Sequence, residues 1–214
     1  MIEHTCPEDV SLFSARKIPE EFELLPAEQQ ATKNFAQKRM LDFRRGRYCA
    51  RMALSRFGRE NEAIPVGASR GPVWPSGIIG SISHCDGTSV AAVYAGDALL
   101  GIGIDLESLQ VLEPAMVDQV CGPEERQWLA CHHSDRQLST VVFCIKEAIY
   151  KSVWPHLRRF IEFRDVSVIP KLGENTFVAK SASSSLSRDL IAGVSGSWTI
   201  SSGRVFAYAA CARS

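Results

Sequence analysis

The chain of 214 residues is long enough to bury a sizeable core, as one domain or as two closely joined lobes. Its 24 Lys and Arg residues balance 24 Asp and Glu residues, which excludes both a chain-wide nucleic-acid glove and an acid-rich scaffold. Seven scattered cysteines, odd in number and without a C-x-x-C pair, point to a reduced, cytoplasmic protein; the opening MIEHTCPEDV lacks the basic start and apolar core of a signal peptide, and no apolar run approaches a membrane span.

In chain order, residues 1–25 read as irregular, with one edge strand near residues 10–13. Residues 26–57 hold no Gly or Pro after Pro26 except Gly46, and Phe35, Met40, Phe43, Ala50 and Leu54 recur at three-, four- and sevenfold steps, which predicts one or two helices ending at Gly58. Between Lys33 and Arg59 lie nine basic residues with Asp42 as the only acid. SRGPVWPSGIIG (69–80) is a Gly- and Pro-rich loop. Three short strands follow, SISH, SVAAVYA and GIGIDLE, joined by tight turns at Asp86-Gly87 and Gly96-Asp97. Helices are expected over 123–131 and 137–153, the second stopped at Pro155. FIEFRDVSVI (160–169), SWTIS (197–201) and VFAYAACA (205–212) read as strands, and 181–187 as a polar loop. GRYCARMALSRFG and FCIKEAIYKSVWP hold matching places before the two strand groups, which suggests two similar α/β lobes.

GIGIDLE (101–107) places Asp105 and Glu107 on one face of a strand, about 6 to 7 Å apart along the chain. Like charges so close need a cation. That cation is either a hard divalent ion such as Mg²⁺ or an Arg or Lys side chain, unless the pair sits exposed at the strand end. In FCIKEAIYKS, Glu147 and Lys151 share a helix face, either as a surface pair or, flanked by Phe143, Tyr150 and Trp154, as part of a site. Were this helix to cross the strand end, Glu147 could add a third oxygen to the same ion.

GSISHC puts His84 at a strand end beside Ser81 and Ser83, as a structural residue or as a ligand contact. The basic segment 33–59 suits a solvated helix face, phosphate binding or a nucleic-acid module. His132 and His133 beside Cys131 lack further spaced ligands and read as loop residues.

Four stretches together resemble one family. GIGIDLE is similar to its G-[IV]-D-x-E motif, FCIKEAIYK to F/W-x-x-K-E-[AS]-x-x-K, WPSGIIGSISHC to W-P-x-G-x-x-G-S-[IM]-[ST]-H, and GRYCAR to G-R-x-C-A-R, in the order and spacing of 4′-phosphopantetheinyl transferases of the surfactin- and enterobactin-synthesis type. The resemblance implies an α/β (α+β) fold of two pseudo-twofold lobes, 1–102 and 103–214, each a small antiparallel sheet packed with helices, monomeric, with coenzyme A in the cleft between them. It implies Mg²⁺-dependent transfer, with Mn²⁺ as a substitute metal, of the phosphopantetheine arm of coenzyme A to a serine of an apo acyl, peptidyl or aryl carrier protein of siderophore, nonribosomal peptide or polyketide synthesis, releasing 3′,5′-ADP. Asp105, Glu107 and Glu147 would be the metal ligands, with Asp105 also beside the coenzyme A pyrophosphate. Glu147 would be the base, directly or through a metal-bound water, with Lys151 as its catalytic neighbour. Lys146 and Lys151 would lie near the phosphates, Ser83 and His84 would contact phosphate, and Arg39, Arg47 and Arg70 would surround the nucleotide. Two departures stand out: Cys144 where many relatives carry Ser or Ala, and Gly71 where some carry Lys. A metal-dependent nucleotide phosphohydrolase and a nucleic-acid-binding module are the competing functions; neither nucleic acid nor membrane is an expected partner of the transferase.

Overall fold

The computed structural model describes residues 5–132 and 135–213, so His133 lies outside the described residues. The chain divides into two compact units, one from Pro7 to Asp97 and one from Ala98 onward. Thr5 and Cys6 belong to the second, where Ser197 Oγ donates to the Thr5 carbonyl oxygen. A cut between residues 102 and 103 would sever a strand; the division falls at Asp97/Ala98 because strand residues 99–108 pair as one piece.

The first unit contains β1 (Ser11–Ala15), α1 (Pro26–Gln29), α2 (Gln37–Leu54), β2 (Ile78–Cys85) and β3 (Thr88–Ala95). Its antiparallel sheet runs β1-β3-β2, with β1 on the edge as the sequence suggested. Asp86 and Gly87 both take positive φ, 44° and 72°, as a two-residue hairpin turn with the strands' own twist demands. Helix α2 lays Cys49, Ala50, Ala53 and Leu54 on Ile78, Ala91 and Val93, and Ile64 closes this core. After one 3₁₀ turn the chain leaves the helix at left-handed Gly58.

The second unit contains β4 (Leu99–Ser108), α3 (Pro114–Val120), α4 (Pro123–Cys131), α5 (Leu138–Leu157), β5 (Val166–Lys171), β6 (Thr176–Ser181), α6 (Arg188–Ala192), β7 (Val194–Ser201) and β8 (Arg204–Ala212). The sheet is antiparallel in the order β4-β8-β7-β6-β5. Helix α5 covers one face, packing Val141, Ile145, Ala148, Ile149 and Val153 into a core with Val166, Val168, Val205, Ala207 and Ala209. In both units the first strand pairs with the last and a long helix lies between them in sequence. That is the topological content of the matching places read in the sequence.

Three local expectations change. Pro155 does not stop α5, which runs on to Leu157 and ends at left-handed Arg158; proline sits in the last turn, where losing one backbone bond costs least. The run 160–169 becomes a strand only from Val166, because the Glu162 N–H donates to Asp165 Oδ2 and the chain turns once through a 3₁₀ helix at Phe163–Asp165. Strand β6 and the short helices α3 and α6 were not anticipated: each is too brief to show a period.

Candidate active site

The glycines of GIGIDLE explain why this strand meets a helix so closely. A Cβ on Gly103 would stand 1.9 Å from the Ala148 carbonyl oxygen, and one on Gly101 2.2 Å from that of Ser152. The α5 residues opposite are themselves small, Cys144, Ala148 and Ser152, one per turn. Glycines on the strand and a small-residue row on the helix bring the two backbones together. The alternation of the strand then carries Asp105 and Glu107 to that same helix-covered face.

Asp105 is 3% exposed, and Lys151 Nζ donates to its Oδ1 at 2.6 Å and to the Ile104 carbonyl oxygen at 3.1 Å. Burial alone would lower the Lys151 pKa; the charge of Asp105, its hydrogen bond and the charge of Glu147 prevail, so the ammonium is held above its ordinary value. Glu147, one turn before Lys151, is half-buried. Its carboxyl is held above the usual range chiefly by burial, with Lys151 pulling down and the negative charge of Asp105 pushing up. Burial, followed by the charges of Asp105 and Glu107, pushes the Cys144 thiol well up, so it is an inert neighbour rather than a nucleophile. Asp105, Glu147 and Lys151 thus form one electrostatic group, with Glu107 on the same strand face.

In this structure the cation on Asp105 is Lys151. Among the described residues no three His, Cys, Asp or Glu side chains are gathered around a single ion position. The donors nevertheless suit Mg²⁺ in kind, being hard carboxylate oxygens. A divalent ion there would compete with the ammonium for Asp105.

Lys146 corrects an expectation. Rather than facing phosphate, it is buried, and its Nζ lies 2.6 Å from Glu125 Oε1 while donating to the Val120 and Phe163 carbonyl oxygens at 2.7 and 2.9 Å. Three donors meet three acceptors. Glu125 in turn accepts from the Gly122 and Val168 N–H groups, both at 2.9 Å, tying the start of α4 to β5 and α5. Beside Glu147, a cavity of about 90 Å³ is walled by Ile149, Tyr150, Phe160 and Phe163, with Phe160 71% exposed.

The remaining predicted contacts belong to the first unit. Arg39 is exposed, its guanidinium 4.5 Å above the Phe35 ring. Arg47 is buried, Nε donating to the Ile64 carbonyl oxygen at 2.6 Å and Cζ 4.2 Å above the Phe43 ring. Arg70 is exposed in a turn with φ of 64°. On β2, Ser83 is buried and His84 exposed, opposite Val90 and Ser89. Part of the basic segment is engaged within the first unit. Arg44 and Arg51 bond the Phe22 and Glu23 carbonyl oxygens, Arg45 pairs with Asp42, and Arg59 pairs with Glu62. The sequence reading missed the buried Glu28 and Glu125, although proline at the first helical position followed by Glu two residues later marks both as helix-start carboxylates.

Two family models match the chain. Residues 27–94 match the 4′-phosphopantetheinyl transferase N-terminal domain and residues 101–202 the 4′-phosphopantetheinyl transferase superfamily. The 4′-phosphopantetheinyl transferase PptT of Mycobacterium tuberculosis is 31% identical over 212 residues, covering 94% of this chain and 92% of the relative. The chain belongs to the 4′-phosphopantetheinyl transferase family. The transferase is also 38% identical to Npt of Nocardia iowensis over 168 residues, 78% of this chain and 76% of that one. It is 34% identical to enterobactin synthase component D of Escherichia coli K12 over 120 residues, 54% and 55% of the two chains. The fold is the mixed α/β one expected, two antiparallel sheets packed with helices. As a member of this family the chain is an enzyme that transfers the phosphopantetheine arm of coenzyme A to carrier proteins. No helix of the described residues is long and apolar enough to cross a membrane.

Proposed function

We propose that this transferase moves the arm to a serine hydroxyl of an apo carrier protein and releases 3′,5′-ADP, using the group Asp105, Glu147 and Lys151. The observation that supports this most is the Lys151 ammonium 2.6 Å from Asp105 with the Glu147 carboxylate one helical turn away. Phosphoryl-type transfer asks a protein for positioning and charge stabilisation more than for covalent chemistry.

A serine hydroxyl is a weak nucleophile until a base takes its proton. Glu147, whose carboxyl is raised by burial, is suited to that role at neutral pH. The serine oxygen bonds to the phosphorus bearing pantetheine as the pyrophosphate bond to the 3′,5′-ADP oxygen breaks. Lys151, oriented by Asp105 and the Ile104 carbonyl, brings a fixed positive charge to the diphosphate. Mg²⁺, or Mn²⁺ in its place, would be held by Asp105, Glu107 and Glu147 and would neutralise diphosphate charge when bound. Arg39, Arg47, Arg70, Ser83 and His84 would serve the nucleotide end of coenzyme A.

Incubating the protein with a coenzyme A carrying a fluorescent arm and an apo carrier domain tests this. Label on the carrier that depends on added Mg²⁺ and is lost in Asp105→Ala is the expected result. Rapid breakdown of coenzyme A without any carrier would instead favour a phosphohydrolase. One apo carrier from each synthesis type would assign the partner.

A further inference from the structure

Glu28 is fully buried, an acid in a helix of only four residues. Its Oε2 accepts from the Leu25 N–H at 2.9 Å and its Oε1 from the Ile64 N–H at 3.0 Å. A buried carboxylate is costly unless compensated by hydrogen bonds and by positive charge. The backbone bonds supply the first, and Arg47 is a buried cation that feels the Glu28 charge.

Arg47 is reached through the other side of the same residue. Its Nε donates to the Ile64 carbonyl oxygen at 2.6 Å, so Ile64, itself fully buried, is held by Glu28 at its N–H and holds Arg47 at its C=O. Pro65 follows Ile64 and restricts its backbone to extended conformations, which stiffens the acceptor. The Phe43 ring, 4.2 Å from Cζ, supports the guanidinium face. With one N–H committed to Ile64 and the plane set by Phe43, the terminal nitrogens keep the planar fork that suits phosphate oxygens. Burial pushes the Arg47 pKa down to about 10, the Glu28 charge opposing, so the fork stays charged at neutral pH.

We infer that Glu28 is a positioning residue, fixing the Arg47 guanidinium through the backbone of Ile64 so that it binds an anionic group of coenzyme A. This rests on the proposal that Arg47 serves the nucleotide end. A mere helix cap would affect how much protein folds, and so the apparent kcat; a positioning residue affects affinity for one substrate.

The test uses the full chain with apo carrier and coenzyme A, together with calorimetric titration of 3′,5′-ADP, on wild type, Glu28→Gln, Arg47→Lys and the double variant. Glu28→Gln is expected to raise the KM for coenzyme A and the Kd for 3′,5′-ADP about tenfold, with kcat within about twofold and the carrier KM unchanged. The double variant should bind no more weakly than Arg47→Lys alone, because both changes act on one group. A Glu28→Gln enzyme with lowered kcat and unaltered coenzyme A and 3′,5′-ADP affinity overturns the inference. An Arg47→Lys enzyme with unaltered affinity removes the nucleotide role of Arg47 itself. Where Glu28→Gln fails to fold, Glu28→Asp keeps the charge but shortens the reach to Ile64: a raised coenzyme A KM at unchanged kcat supports the inference, and an ordinary KM overturns it.

Discussion

Lys146 and Lys151 stand on the same helix, and each places its ammonium 2.6 Å from a carboxylate oxygen. Around Lys146 both partners are sealed, with side chains 2% and 1% exposed, and two backbone carbonyls complete its shell. The Lys151 side chain is 27% exposed against an Asp105 side chain 4% exposed, and it shares its field with Glu147. The same pair of charges is therefore structural in one place and chemically available in the other. What separates them is access and the company of a second titratable acid, not the ion pair itself.

The comparison depends first on the close approach of α5 to β4. Gly103→Val would drive a side chain into the Ala148 carbonyl oxygen, a backbone atom that no rotamer change can move aside. A loss of more than about 3 kcal/mol in urea unfolding is expected, together with loss of transfer. Full stability in this variant would show that the glycines do not set the spacing.

Next come the lysines themselves. Lys146→Met strands Glu125 as an unpaired buried charge and should cost about 3–5 kcal/mol by chemical denaturation, while the folded fraction keeps its kcat. Adding Glu125→Gln should recover much of that stability, since the stranded charge is then gone. Lys151→Met also takes the compensating charge away from the buried Asp105 and should cost stability too, but unlike Lys146→Met it should lower the kcat of the folded fraction about 10²–10³-fold. Equal effects of the two substitutions would dissolve the distinction.

The smallest effect concerns Glu147. Its folded pKa lies above its unfolded one, so ionisation opposes folding above the ordinary carboxylate range and has no effect below it. Glu147→Gln should therefore raise the thermal midpoint at neutral pH without added metal, and the advantage should vanish as pH falls below about 4. An advantage that persists in acid would have another origin.

Much of this was legible in the residues. The 2.0 period of a strand put Asp105 and Glu107 on one face, Asp86-Gly87 announced its hairpin, and the long apolar periods of α2 and α5 gave both helices. Helical geometry also separates Lys146 from Lys151 by about 140° around α5, so their different surroundings could have been read from their spacing. The resemblance to the family motif instead places both lysines near phosphate. Other features had no local signal. That Gly101 and Gly103 exist to admit the backbone of α5 depends on which helix lies there, and the bond from the Ile64 N–H to Glu28 spans 36 residues. The strand expected from residue 160 failed because a local carboxylate-to-backbone bond outcompeted an apolar run.

The most direct test is the intact mass of an apo carrier after incubation with coenzyme A, measured alongside released 3′,5′-ADP for wild type, Glu147→Gln and Lys151→Met. One phosphopantetheine per carrier serine and an equal amount of 3′,5′-ADP are predicted for the wild type, with both products falling together in the two variants. A carrier modified at the wild-type rate by either variant would contradict the assignment of this chemistry to the meeting of α5 and β4.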